Sequence, residues 1–304
     1  MSNVSDAKPQ ATAVPASGLK KFWADFSESR LALFALAVFS TILFIALFAP
    51  WISPTNPYDL GSVDIMNSRL PPGSEDFAGN VYWLGTDGAG RDMLSSIFYG
   101  LRVSLGVGAF SGIVAMAIGA TIGLAAAYFG GRLETIIMRI VDIQLSFPSI
   151  LMALIILAIF GKGVDKTIIA LVLVQWAYYA RTARASALVE KNKEYVEAAQ
   201  CLALSDRRII LSHIMPNCLA PMIVVGTLQT AHAISLEATL SFLGLGLPIT
   251  EPSLGLLIGN GFEYMYTGDF WISIFPGVAL LITIVSINLV GDQLRDIFNP
   301  RLQK

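Results

Sequence analysis

Long apolar runs separated by short polar stretches are the dominant pattern along the chain. Residues 31–49, LALFALAVFSTILFIALFA, are broken only by Ser40 and Thr41, and at about 1.5 Å per residue a helix of this length nearly spans a bilayer's hydrocarbon core. Lys20, Lys21 and Arg30 precede the run, which is too long for a secretory signal and has no small-residue cleavage exit. Pro50 and Trp51 mark its interfacial end. The next run, 103–129, holds Gly106, Gly108, Gly112, Gly119 and Gly123. Small residues in lipid allow close helix contact, so this span needs a partner helix. Further spans are predicted over 143–160 with Pro148 inside, 167–179 extended by alanines around Arg181 and Arg184, 219–243, and 270–290 with Pro276 near its start. The pattern predicts an all-α polytopic membrane protein of six helices with both ends on one side.

Composition agrees. Of 304 residues, 55% are apolar and 14% charged, too little polar surface to cover a water-exposed globule. A soluble enzyme and a disordered chain are excluded, and a net charge of −2 excludes a nucleic-acid binder. Cys201 and Cys218 form no CxxC or metal-ligand spacing and read as packing residues. With the N-terminus inside, fifteen Lys and Arg fall on inner segments and five (Arg69, Arg91, Arg102, Lys162, Lys166) outside. This asymmetry places both termini and the loop 181–216 in the cytoplasm. The chain divides into a cytoplasmic tail (1–29), a first helix (30–52), an external loop (53–101), the main transmembrane domain (102–292, with a cytoplasmic loop at 190–216) and a cytoplasmic tail (293–304).

Residues 1–29 read as a loose tail. The outer loop holds Asp59, Asp64, Glu75, Asp76, Asp87 and Asp92. It closes with Trp83-Leu84-Gly85-Thr86-Asp87-Gly88-Ala89-Gly90-Arg91-Asp92, where Asp92 is placed to cap a short interfacial helix with Met93, Leu94, Ile97 and Phe98 on one face. In 190–217, EKNKEYVEAAQCLALSDRRIILSHIMPN, Tyr195, Ala198, Ala199 and Leu202 share one helical face beside Lys193, Glu194 and Glu197. Ser205 would cap a second helix through Ile209, Ile210 and Ile214, stopped by Pro216. Two such helices make a cytoplasmic knob too small to fold alone, which should dock on another protein.

The knob resembles the cytoplasmic signature of ABC importer permeases, E-A-A, three residues, G, nine residues, I-x-L-P. Glu197-Ala198-Ala199 opens it, Ala203 stands at the usual Gly, and His213-Ile214-Met215-Pro216 closes it. Ala at 203 loses easy access to positive φ, and Met for Leu keeps apolar volume. The His resembles the H-I-L-P-N ending of the C-type permeases of dipeptide, oligopeptide and nickel importers. The likeness continues through Trp83-Leu84-Gly85-Thr86-Asp87 with Gly90-Arg91-Asp92, Gly100-Leu101-Arg102-Val103-Ser104-Leu105, Leu240-Ser241-Phe242-Leu243-Gly244-Leu245-Gly246, Asn288-Leu289-Val290-Gly291-Asp292, Leu294-Arg295-Asp296 and Asn299-Pro300-Arg301. The resemblance implies a type I ABC importer permease fold, pairing with a homologous permease, two cytoplasmic ATPase subunits carrying ATP and Mg, and an external solute-binding protein. It also implies that Glu197, Ala198, Ala199, Ala203, Leu204, Ser205, Asp206, Arg207 and Pro216 form the ATPase contact.

This chain has no G-x-x-x-x-G-K-[ST] segment, so no ATP site and no cofactor of its own is expected. In the fifth span Gln229, His232, Ser235 and Thr239 lie broadly along one side with Glu237 nearer the outside. Polar groups are costly in a span and often face a cavity, so Gln229, His232, Ser235 and Glu237 are pathway-lining candidates. Arg139 and Asp142, three apart, are expected to pair on the helix surface. His213 and His232 have no HExxH or partner carboxylate, and no metal or catalytic residue is expected. The alternative is an ion-gradient-driven secondary carrier using Asp142 and Glu237 as coupling groups; an intramembrane hydrolase would lack a Ser-His pair. Lining at Gln229, His232 and Ser235 suits peptide-like amides, and it is mainly the breadth of the resembled family that implies short peptides ahead of nickel chelates.

Overall fold

The computed structural model describes residues 18–298 apart from 60, 62, 77, 78 and 249. Part of the tail expected to be loose is helical: α1 (Gly18–Ser27) buries Phe26 and sets Phe22 against Phe298, ring centroids 6.0 Å apart. Residues 1–17 lie outside the described residues. Helix α2 (Arg30–Ile52) starts at Ser29, whose hydroxyl accepts the Ala32 N–H.

Asp92 caps as expected, accepting from the Ser95 N–H at 2.9 Å. The helix it opens is not a short interfacial piece, however. It runs unbroken as α3 (Met93–Phe129), 37 residues and roughly 55 Å long. The outer loop before it folds as a two-stranded hairpin, β1 (Ser74–Glu75) and β2 (Val81–Tyr82). Its acids hold turns: Asp64 accepts from Met66 N–H, Asp76 from Asn80 N–H, and Asp87 from the Ala89 and Arg91 N–H groups while pairing with the Arg91 guanidinium at 2.9 Å.

The expected straight span 143–160 is broken. Helices α4 (Gly131–Leu145) and α5 (Ser149–Phe160) meet at 92°, because Pro148 has no N–H to donate and its ring crowds a preceding helical turn. The core at 167–179 belongs to a longer helix, α6 (Val164–Lys191). After α7 (Glu194–Cys201) the chain enters α8 (Asp206–Ile209), passes one π turn at Ile210–Ile214 and continues as α9 (Met215–Phe242). Pro216 therefore does not stop the second knob helix. It lies in the first turn of α9, directly after the π turn that interrupts the regular ladder. The nine-residue α10 (Leu254–Phe262), capped by Ser253, and α11 (Trp271–Phe298) complete the fold. The first six residues of the expected C-terminal tail, 293–298, continue α11.

Among the described residues, four helices are long and apolar enough to cross a membrane: Arg30–Ile52, Met93–Phe129, Asp206–Phe242 and Trp271–Phe298. The bent α4–α5 pair makes a fifth, against the six expected. Helix α6 has the length, 28 residues, but carries Asp165, Lys166, Arg181, Arg184, Glu190 and Lys191. It buries Ala170, Leu171, Val174, Ala177 and Ala180 against its neighbours instead.

The glycines of α3 explain why α3 holds the centre. A Cβ at Gly119 would stand 2.3 Å from the Trp176 carbonyl oxygen, one at Gly123 2.3 Å from that of Ala180, and one at Gly108 2.5 Å from Ile234 Cγ1. The partner predicted from composition is thus α6 at one end and α9 at the other. Dispersion between closely approaching backbones does in lipid what water exclusion does in a soluble core.

Candidate functional site

Helix α7 begins with Glu194 and Glu197, acids that the positive end of a helix favours. It ends in a Schellman turn: the Ala203 N–H donates to Gln200 O at 2.9 Å and the Leu204 N–H to Ala199 O at 3.2 Å. Ala203 holds φ at 53°, so the left-handed turn that its lack of glycine put in question forms with alanine. Leu204 packs on the apolar cluster that contains buried Ala199, as the apolar contact of this cap requires. Ser205 occupies the N-cap position of α8 but makes no side-chain cap bond.

The buried face of the knob differs from the expected one. Val196 and Ala199 point inward, while Tyr195, Ala198 and Leu202 are exposed, Leu202 at 75%. Val196, Ala199, Ile209 and Ile214 join Ala183 and Ala187 of α6 and Leu124 and Ala127 of α3 in one cluster. The knob is thereby packed on two long helices and covalently continuous with a third.

Polar contacts clasp the same junction. Glu190 at the end of α6 accepts from Lys193 Nζ and Tyr195 Oη, both at 2.6 Å, and Asn217 Nδ2 donates to Tyr195 Oη at 3.1 Å and to His213 O at 2.7 Å. Burial alone would raise the Glu190 carboxyl, but these hydrogen bonds outweigh it and hold the group below the usual carboxylate value. Burial and the Glu190 carboxylate push the Tyr195 phenol up to about 12. Lys191 Nζ donates to Tyr128 O at 2.6 Å at the end of α3, and Tyr128 Oη donates to Asp206 at 2.7 Å. Sequence reading missed Glu190, Asn217 and Tyr128, which carry no motif of their own. Only the N that ends H-I-L-P-N pointed to Asn217.

Of the nine residues expected at the ATPase contact, Glu197, Ala198, Ala203, Ser205, Asp206, Arg207 and Pro216 are exposed, Leu204 is half-buried and Ala199 is buried. Ala199 and Leu204 therefore support the surface rather than form it. Glu197 makes no ion pair among the described residues.

The polar stripe of α9 divides in the same way. Gln229, His232 and Ser235 are half-buried, and Gln229 Oε1 and His232 Nδ1 are enclosed without a partner among the described residues. Ser235 donates to Ala231 O at 2.9 Å. Glu237 is 0% exposed and accepts from Ser104 Oγ at 2.9 Å and Ser241 Oγ at 2.7 Å. Ser104 Oγ also takes the Leu254 N–H at 3.2 Å. Glu237 is thus closed off by the described residues around it, and through Ser104 it ties α3 and α9 to the start of α10. Asp142 does not pair with Arg139 but with Arg181 of α6, at 2.5 Å, because the bend after α4 turns this helix against α6. Arg184 and Glu134 form a second such bridge.

The chain is similar along its length to known transport proteins. The family model described as binding-protein-dependent transport system inner membrane component matches residues 117–304, and that of the N-terminal transmembrane domain of oligopeptide transport permease C matches 17–72. It is 38% identical over 304 residues to the dipeptide transport system permease protein DppC of Escherichia coli, covering 100% of both chains. It is also 38% identical to the di/tripeptide transport system permease protein DppC of Pseudomonas aeruginosa over 288 residues, 94% of this chain and 93% of that one. Among solved structures, an inward-facing form of the MetNI methionine ABC transporter superposes with a TM-score of 0.55 at 20% identity, over 68% of this chain and 98% of that chain. At that identity the likeness establishes the permease fold and nothing finer. A knob with the signature spacing, fused to that fold and matched over most of its length by the family model, makes this chain a member of the binding-protein-dependent transport system inner membrane components.

Proposed function

We propose that this chain is the C-type permease subunit of an ATP-driven importer of short peptides. It would form the translocation pathway with a homologous permease and receive its cargo from an external binding protein. The observation that carries the reading is full-length similarity to dipeptide permeases, together with a knob that exposes Glu197 and Ala198 while locked to α6 and α9. One ATPase chain docks there and the second on the homologous permease, with ATP and Mg bound on those chains, and this chain performs no covalent chemistry. Closure of the ATPases pushes the knob, and α6 and α9 move with it to open the cavity between the permeases alternately to each side.

In this reading the chain crosses the inner membrane six times, the α4–α5 pair counting as one broken crossing and α6, shielded from lipid by α3 and α9, as the sixth. Both termini and the knob are cytoplasmic. Gln229, His232 and Ser235 face the pathway, where Gln229 Oε1 and His232 Nδ1, without a partner among the described residues, are available to the passing peptide backbone. The test is uptake of labelled dialanine by cells lacking or re-expressing the chain, under ATP depletion and, separately, under an uncoupler. Uptake should require the chain and ATP and survive the uncoupler. Uptake that follows the ion gradient would contradict the assignment.

A further inference from the structure

A cavity of about 520 Å³ opens where α3, the start of α6 and the segment before α10 meet, within the range of about 300–1,000 Å³ typical of small-ligand sites. By the charge asymmetry that orients the chain, this is the external side. Two opposite charges stand on its wall, Arg102 and Glu251, both exposed. Neither enters an ion pair with the other or with any described residue. That separates them from the neighbouring outer charges: Arg91 is bound to Asp87, and Arg69 to Asp269 at 3.3 Å.

Apart from Thr250, the remaining wall is apolar and aromatic. Tyr58 and Tyr99 pack edge to face, 5.3 Å between centroids, and both line the space. Gly106 lies on the cavity too, and a Cβ there would meet nothing within 4 Å. Unlike Gly108, Gly119 and Gly123, it serves no helix contact.

An unpaired cation and an unpaired anion on the wall of one partly apolar cavity are complementary to a small zwitterion. The guanidinium fork matches a carboxylate with two parallel hydrogen bonds, and a carboxylate accepts from an ammonium group. A dipeptide with free ends spans about 7 Å when extended, carries one charge of each sign, and needs apolar room for its side chains.

We propose that this cavity is a reception site for short peptides with free termini, Arg102 taking the C-terminal carboxylate and Glu251 the N-terminal ammonium. The proposal rests on the reading of the chain as a peptide permease. It puts part of the selectivity in the membrane subunit, for the peptide ends rather than for the side chains.

The experiment uses the whole importer in cells and compares uptake of dialanine, dialanine amide and N-acetyl-dialanine, each at a concentration that fully loads the binding protein. The unaltered importer should prefer dialanine to either blocked form by about tenfold, the factor expected for one charge-assisted hydrogen-bonded pair. Arg102→Gln should bring dialanine and its amide to parity while keeping the discrimination against the acetylated form. Glu251→Gln should do the converse. Arg102→Lys, with the charge but not the fork, should keep part of the preference and covers the case in which Arg102→Gln does not accumulate. Ratios that stay the same in the variants overturn the proposal, because a docking or purely structural role lowers uptake of all three peptides together. An unaltered importer that moves none of them sinks the peptide-permease reading itself, and the site with it.

Discussion

Replacing Ala203 by Gly should tighten the knob, although it removes a methyl group and adds no contact. Ala203 sits at φ 53°, where an L-residue pays about 1–2 kcal/mol because its Cβ crowds the following carbonyl. Glycine avoids that penalty but gives up about 0.5–1 kcal/mol through its freer unfolded chain. The net gain is about 0.5–1 kcal/mol, a two- to fivefold drop in local opening by the relation of about 1.4 kcal/mol per tenfold. Amide hydrogen exchange reads it directly, since the N–H groups of Ala203 and Leu204 are the donors of the Schellman turn and exchange when that turn opens. Both should slow about two- to fivefold in the glycine variant, and Ala203→Val, β-branched at the same φ, should exchange faster than the parent. Unchanged or faster exchange with glycine would refute the reasoning and mean that the turn is held by contacts indifferent to backbone strain.

Three further outcomes are expected. Cysteine at exposed Glu75 should react with an impermeant thiol reagent on sealed cells and cysteine at exposed Glu194 should not; equal labelling would overturn the orientation. Gly119→Val places atoms within 2.3 Å of the Trp176 carbonyl and should cost about 1–3 kcal/mol or more, seen as loss of chain from the membrane and a lower unfolding temperature. Gly277→Ala, where a Cβ meets nothing within 4 Å, should accumulate normally. Because the Glu190 carboxyl is held below its ordinary 4.5, its contribution is present above that value and lost as pH falls below it. Protease cleavage at Lys193 should therefore rise on acidification below about 4.5 in the parent, while Glu190→Gln should show the faster cleavage already at neutral pH.

The long helices were legible because lipid demands uninterrupted apolar runs, and α2, α3, α9 and α11 carry them. The resemblance located the knob, but which of its residues face inward was not legible: Val196, not Tyr195 or Leu202, is buried, since the helix is oriented by clusters on α3 and α6 far away in sequence. Helix α10 escaped notice because Gly255, Gly259 and Gly261 lower its intrinsic helicity. Those glycines are instead required by contact, a Cβ at Gly255 falling 2.2 Å from the Ala238 carbonyl oxygen. Glu237 read as pathway because an acid in a span is costly. Its cost is met by serines from α3 and α9, a pairing over 133 residues that periodicity does not display.

The most direct test of the coupling role is Glu197→Lys in the purified importer with its ATPases and loaded binding protein. Glu197 is exposed, unpaired among the described residues and outside the apolar cluster that holds the knob, so the inversion should leave the chain inserted and paired with its partner permease. If an ATPase docks on the knob as proposed, the change places a cation where that ATPase would meet an anion, a reversal that costs several kcal/mol at a close interface. ATP-dependent dialanine uptake should fall more than tenfold, with the ATPases released or their hydrolysis no longer raised by the binding protein. Full uptake with normal stimulation would contradict the assignment of the knob as the surface that receives the ATPases.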